Sequence, residues 1–448
     1  MKRNALRRLQ RAVQALGACV LVLSWPVPSR TQEPGWKVEE TRKHGIKMLR
    51  AVKEQIKSNY YDKSFHGMNL EARFKLAEEK MSEAKTSGQV YGIIAQAVID
   101  LNDSHTRFVP PLRESVAVYG WRMQMVGDRC YITAVMPGSD AEAKGLMPGD
   151  RVIELDGFVP TRETLWKIHY YYYSLRPQSR VQISVQSPEG VERTIEIITR
   201  LHKRNLVYDG GRIIDKNPVD ITADDGTKAV PQYFEFGKDL IVCRVPSFSM
   251  NDDAIDKVME RIAGHKTLVL DLRGNPGGRL VALTRFAGYF FDREVKMNDL
   301  KMRDGVKEEK LKPNKKNNFQ GKLIVLVDSR TASAAEIFAR LVQLEKRGFV
   351  IGDRTSGMVM QSYRVFLRVG GVTPVIYGLS ITNADVIMTD GKSLERVGVT
   401  PDELLLPTNK DLRNRRDPVL ARAVSVAGQS LTPEKAGDLF VQDAISNH

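Results

Sequence analysis

The chain has 448 residues, 42% of them hydrophobic and 27% charged, too many for one core and enough for two or three domains. Its net charge of +14 raises a nucleic-acid partner. However, the basic residues are scattered, five of them (Lys2, Arg3, Arg7, Arg8 and Arg11) sit at the very start, and no stripe forms, so no nucleic-acid partner is expected and a polyanion or membrane-surface binder is the minority reading.

The chain opens with the basic run "MKRNALRRLQR", the short apolar run "AVQALGACVLVLSW" and a polar, proline-marked exit, "PVPSRTQEPGW". These are the parts of a secretory signal peptide, assigned to residues 1–32. The apolar run is short for a membrane span. Its continuation past Cys19 argues against a lipidation box at "LGAC". Export is therefore expected, to a bacterial periplasm or cell envelope or to the medium. Retention of the segment as an anchor, and peripheral membrane association, stay open.

Residues 36–112 read as helical. Ile46, Leu49, Val52 and Ile56 fall at helix spacing, and "YGIIAQAVIDLND" closes a later helix. The pattern then changes to short strands with turn punctuation over 113–200. "RCYITAV" leads into "PGSDAEAKGLMPGD", then "RVIELDG", a helix around Glu163–Tyr173 and the hairpin "RVQISVQSPEGVERTIEIIT". A connector (201–232) precedes an α/β region (233–408). There "KDLIVCRVPSFS", "KTLVLDLRG", "GKLIVLVDS" and "RGFVIGDR" are strand candidates separated by helical stretches. Strands alternating with helices imply βαβ units, and runs such as "LVLDL" suit strands buried on both faces. Residues 409–448 read as a helix-forming tail. Cys130 and Cys243 lie in apolar, strand-like contexts and are expected to be buried thiols, with one disulfide the alternative. No Cys/His cluster has metal-ligand spacing, so neither metal nor cofactor is expected.

Two turns can carry chemistry. "LVLDLRGNPGG" ends a buried strand in glycines (Gly274 to Gly278) whose amides can face a ligand. A phosphate loop would need a following Lys-Ser/Thr, which is missing, so an oxyanion-binding turn fits better. "LIVLVDSRTASAAEIFARL" is strand, small-residue turn, helix, with Ser333 near the helix start. Such a serine is either a helix cap or a nucleophile beside a helix N-terminus.

Between Val116 and Arg200 the order of elements resembles the circularly permuted bacterial PDZ domain. This implies capture of extended peptide ends by strand addition, at a loop around Tyr119, Gly120, Trp121, Arg122 and Met123. With "DLRGNPGG", "TASAAEIF", "GDRTSG" and "GVTPDELL" in this order, nearly all of the chain after residue 32 resembles the C-terminal processing, or tail-specific, peptidases. The resemblance implies a multidomain α/β protein with an N-terminal helical segment, a β-rich PDZ-like domain and a ClpP/crotonase-like core. It also makes Ser333 the nucleophile, with an oxyanion hole from the amide of Ala334 and one from Gly277 or Gly278. The best-known branch takes its base from a lysine in "T-x-G-K-G". Here the segment reads "TSGMVMQ", so Met358 stands in that place. The tricorn-like branch instead uses a histidine preceded by serine, and an acid before "G-V-x-P-D". By that resemblance Ser104–His105 in "LNDSHTRFVPP" and Glu395 in "SLERVGVTPD" complete the site, with His105 as general base. The partners implied are protein or peptide substrates with extended C-terminal ends. A non-catalytic peptide- or ligand-binding protein on the same fold is the alternative, and oligomeric state is not legible.

Overall fold

The structure is a computed structural model that describes residues 35–113, 115–209, 212–215, 230–371 and 374–440; the segment expected to be a signal peptide lies outside them. Three helices come first: α1 (Gly35–Asn59), α2 (Leu70–Met81) and α3 (Ser87–Ile99). Helix α2 starts at Asn69, whose side chain accepts from the Ala72 amide, and α3 at Thr86, which accepts from Gln89. Leu49, Val52 and Ile56 are buried as their spacing predicts, and Ile46 packs at the edge of the same core. A short strand, β1 (Arg107–Val109), follows.

Next comes an insertion closed by its own ends. Strand β2 (Ser115–Val118) pairs antiparallel with β8 (Arg200–Lys203). Between them β3 (Trp121–Val126), β4 (Arg129–Val135), β5 (Arg151–Leu155), β6 (Arg180–Gln186) and β7 (Glu192–Ile198) make a five-stranded sheet in that order. Helix α4 (Asp140–Ala143) joins β4 to β5. Helix α5 (Leu165–Tyr170) runs into one π-helical turn before β6. A hairpin, β9 (Leu206–Asp209) with β10 (Arg212–Asp215), stands beyond the insertion.

The remaining strands build two further sheets. β11 (Gln232–Phe236), β12 (Leu240–Arg244), β13 (Thr267–Asp271), β16 (Lys322–Val327), β17 (Phe349–Gly352) and β20 (Glu403–Leu404) form a six-stranded sheet, parallel except for β11. Its four central strands are those the apolar runs predict. Helices α6 (Asp252–Ile262), α7 (Leu280–Ala287) and α8 (Ala334–Leu344) share one core with it. The tail answers for the other face: after α9 (Asn409–Arg413), helix α10 (Pro418–Val426) buries Val419, Leu420, Ala423 and Val424 against Leu240, Val242, Val269, Ile324 and Leu326. Helix α11 (Pro433–Asp438) closes that layer. Each fully buried leucine there contributes about 1.5–3 kcal/mol, so the tail is part of the core.

The second sheet holds β14 (Val295–Met302), β15 (Gly305–Leu311), β18 (Met360–Val369) and β19 (Val375–Met388), all antiparallel. β1 pairs with β19, Arg107 opposite Ser380. The first three helices pack on this sheet, sharing a core with Tyr377, Leu379 and Ile381. The helical N-terminal region is thus joined to the α/β region, although the PDZ-like stretch separates them in sequence. Cys130 and Cys243 are buried and unpaired, each with its thiol pKa pushed up by burial. Among the described residues no helix is long and apolar enough to cross a membrane.

Candidate active site

The turn between β16 and α8 is pinned from several directions. The Asp328 carboxylate accepts from the amides of Arg330, Thr331 and Gly274, at 2.9–3.0 Å. Thr331 Oγ1 donates to the Leu272 carbonyl at 2.9 Å, and the Ala332 amide to Asn275 O at 2.9 Å. The strand-to-helix turn is therefore locked onto the glycine turn. Ser333 sits at its apex with φ 54° and ψ −122°. The other helix N-cap residues among those described have negative φ, such as −73° at Asn69 and −80° at Ser139. A cap needs nothing else, whereas a positive φ at serine costs about 1–3 kcal/mol and persists only where the surroundings impose it. The backbone of Ser333, itself half-buried, is that of a serine on a sharp elbow.

The imposing group is Glu336, which is fully buried. Its carboxylate accepts from the Ser333 amide (2.9 Å), Thr355 Oγ1 (2.6 Å), the Gly357 amide (2.7 Å) and the Met358 amide (3.0 Å). Burial pushes its pKa up to about 7 against those donors. The Met358 carbonyl in turn accepts from the Ser333 amide at 2.9 Å. The segment "TSGMVMQ" is thus fastened beside Ser333 by its backbone. Sequence reasoning missed Glu336 because Ser-x-x-Glu reads as an ordinary capping box; the signal was a carboxylate in the middle of an otherwise apolar run.

Gly277 lies directly over this elbow. A Cβ there would come within 2.7 Å of Ser333 Cβ and 2.9 Å of the Ala334 nitrogen, at φ +94°. A Cβ on Gly278 would meet the Phe248 backbone at 2.3 Å. One expectation needs correction: the Gly277 amide already donates to Asn275 Oδ1 at 2.8 Å, so it is not available for an oxyanion. The Gly278 and Ala334 amides have no acceptor among the described residues, which leaves those two as candidate donors.

His105 reaches the same place from another part of the chain. After α3, the buried Asp103 carboxylate collects the amides of His105 (2.7 Å) and Thr106 (3.0 Å), and the hydroxyls of Thr106 (3.1 Å) and Thr382 (2.8 Å). Asp103 thereby fixes the tight turn through Ser104–His105, and β1 ties the next residues to β19. Ser104 then bridges: its Oγ donates to Glu395 Oε2 at 2.8 Å and lies 2.7 Å from His105 Nδ1. The Ser104 and Val359 amides also donate to Glu395, at 3.0 and 2.9 Å. A hydroxyl has one proton, and an ionised carboxylate can only accept. With that proton on Glu395, Ser104 Oγ accepts from Nδ1–H, leaving the lone pair on Nε2. Burial holds the His105 pKa down at about 4, with Arg107 adding to the depression and Asp103 opposing it. Burial pushes Glu395 up to about 7. At neutral pH the imidazole is therefore neutral, the form a base must have.

Ser333, His105, Ser104, Glu395 and Met358 line one cavity of about 910 Å³. Tyr119, Trp121, Arg122 and Met123 line it too, with Ile168, His169 and Tyr172 of α5 and the turn after it. Tyr119 is held by its hydroxyl, which donates to Tyr172 O (3.0 Å) and accepts from the Gln178 amide (3.1 Å). Gly120 is not on the wall; its carbonyl accepts from the Met136 amide at 2.8 Å, at φ +80°. His169, which its sequence context did not distinguish, lies on this wall. Ser329 is a turn residue, and its hydroxyl donates to Met125 O of β3.

Residues 239–405 match the family model described as peptidase family S41. The chain carries a peptidase family S41 domain. By family, this domain is a serine-type hydrolase of peptide bonds. Among curated relatives, the chain is 27% identical over 316 residues to the tail-specific protease of Haemophilus influenzae, a match covering 65% of the chain and 42% of that relative. It is 26% identical over 377 residues to the chloroplastic C-terminal processing peptidase of Tetradesmus obliquus, covering 78% and 74%. In fold it is similar to mature CPAF complexed with lactacystin, with a TM-score of 0.64 and 16% identity over 90% of this chain and all of that one.

Proposed function

We propose that the chain is an exported serine endopeptidase that cuts extended protein segments through an acyl-enzyme on Ser333. The observation that carries this reading is the hydrogen-bonded chain from Glu395 through Ser104 to His105, ending on a cavity wall that Ser333 shares. His105 Nε2 takes the hydroxyl proton as Ser333 Oγ bonds to the substrate carbonyl carbon. The Ala334 and Gly278 amides hold the resulting oxyanion. The peptide C–N bond then breaks, and His105 gives its proton to the leaving amine. Water, deprotonated by His105, attacks the ester, the bond to Ser333 Oγ breaks, and Ser333 recovers its proton. Glu395 stabilises the imidazolium through Ser104, so no lysine is needed at Met358.

The 113–200 insertion would act as a PDZ domain. Strand β3 is at the edge of its sheet, and the groove between β3 and α5 opens into the same cavity. An extended C-terminal segment can add there as a strand and run on toward Ser333. The boundaries 36–112, 113–200, 201–232, 233–408 and 409–448 describe this organisation along the chain, and export rests on the N-terminal sequence.

Turnover of an unfolded protein, compared between wild type, Ser333→Ala and His105→Ala, tests the reading. Both variants should lose activity by a factor on the order of a thousand or more with the melting temperature kept. Activity unchanged in His105→Ala would remove that residue as base, and failure of a serine-directed phosphonate to label Ser333 would remove the nucleophile.

A further inference from the structure

The wall of the cavity is electrostatically lopsided: eight arginines, three carboxylates and no lysine line it. Several of these charges are already spent within the protein. Arg273 is paired with Asp271 and Asp417, and Arg162 with Asp353, at 2.7–2.8 Å. Asp103 and Glu395 are occupied by the donors that build the base side. Two cations differ. Arg107 and Arg330 have neither an ion pair nor a side-chain hydrogen bond among the described residues, and both are part-buried.

Their positions bracket the reacting atoms. Arg107 lies on β1, two residues after His105, close enough to oppose protonation of that imidazole. The like charge of Arg364 lies near it. Arg330 is three residues before Ser333; its guanidinium carbon would be 3.8 Å from a Cβ on Gly274, in the glycine turn. It also bears on His169 of α5, and both line the cavity that Ser333 shares with β3 and α5. A part-buried cation gives up hydration and is normally compensated by a partner. Here the protein supplies neither with an ion pair or side-chain hydrogen bond; Arg107 feels the field of Asp103, whose oxygens are taken by other donors, and both line the cavity.

We propose that Arg107 and Arg330 form an anion-selecting subsite, so that the enzyme prefers segments bearing an Asp or Glu side chain on the C-terminal side of the cut. The side follows from the mechanism and therefore rests on the proposed function. His105 protonates the leaving amine, so Arg107 lies on the leaving-group side, and Arg330 lines the cavity that Ser333 shares with the groove that would hold the C-terminal end. Guanidinium groups suit this task because their fork matches a carboxylate in two hydrogen bonds.

Binding to the full chain carrying Ser333→Ala tests the subsite without requiring turnover. The probes are labelled extended peptides, identical except for Glu, Gln or Lys at each of the four positions after the intended cut, at physiological salt. At one or more of these positions the Glu peptide should bind about tenfold to a hundredfold more tightly than Gln, with Lys weakest. Adding Arg330→Gln or Arg107→Gln should bring the Glu/Gln ratio to within about threefold, and Arg330→Glu should shift the preference toward Lys. If either variant fails to fold, the other decides. Equal affinities for all three peptides, or a Glu preference that survives in both Gln variants, overturns the subsite. Wild-type enzyme that binds these peptides but never cuts them would instead overturn the proposed catalytic reading and leave the binding result standing.

Discussion

The two halves of the candidate site are built by opposite means. The nucleophile half is local: β16, the elbow and α8 are contiguous, and its precision comes from a strained backbone and the close approach of Gly277. The base half is long-range: Ser104 and Glu395 are 291 residues apart and meet through side-chain hydrogen bonds. Backbone placement tolerates little variation, because a packed interior cannot absorb an added atom without shifts. Hydrogen-bonded placement is softer, but it ties the site to the ionisation of buried groups.

The sharpest way to break the first half is Gly277→Ala. The new methyl would collide with Ser333 at a backbone angle alanine resists, so activity should fall on the order of a thousandfold and stability by about 2–4 kcal/mol. Turnover and thermal unfolding measure both. Near-normal activity would mean that the glycine turn does not govern the elbow.

In the second half, Glu395→Gln should lower kcat/KM by about a hundredfold to a thousandfold and also change the pH profile. His105, held at about 4, is already neutral through the weakly acidic range. The acid limb of wild type should therefore report Glu395, which ionises at about 7, with activity lost as pH falls through that value. In the glutamine variant the limb should move toward the His105 value. A limb that stays in place would show that Glu395 does not set it.

Ser104→Ala is the mildest break. It removes the bridge but keeps both the carboxylate and the imidazole, and should cost about tenfold to a hundredfold in kcat/KM, with an accompanying fall in the ability of Glu395 to tune the limb. A loss as large as that of His105→Ala would point to collapse of the turn, which the melting temperature would reveal.

Much of this was legible before folding. The four central strands of the parallel sheet announced themselves as apolar runs, since strands buried on both faces need no alternation. The antiparallel sheet of β14, β15, β18 and β19 was not, because β15 is largely exposed and β18 reads as a mixed surface strand. The role of the tail was equally hidden: "DPVLARAVSVAG" reads as an amphipathic helix, but only packing shows that its apolar side completes the parallel sheet. Within the site, Ser333 and the glycine turn carried local signatures. Glu336 was masked by its resemblance to a cap, and Asp103 by looking like a loop aspartate.

What the sequence by itself determined is therefore the chemistry available at each position: a serine where strand meets helix, glycines where a side chain would clash, and methionine where a lysine base was absent. Those properties are written into a few neighbouring residues and their allowed backbone angles. What only the tertiary structure decided is how the segment carrying His105 comes to line the same cavity as that serine. His105 is separated from it by the whole 113–200 insertion, and the pairing of β2 with β8 and of β1 with β19 brings the two back together. No local pattern encodes that, because strand pairing depends on which edges remain free once every other core is filled.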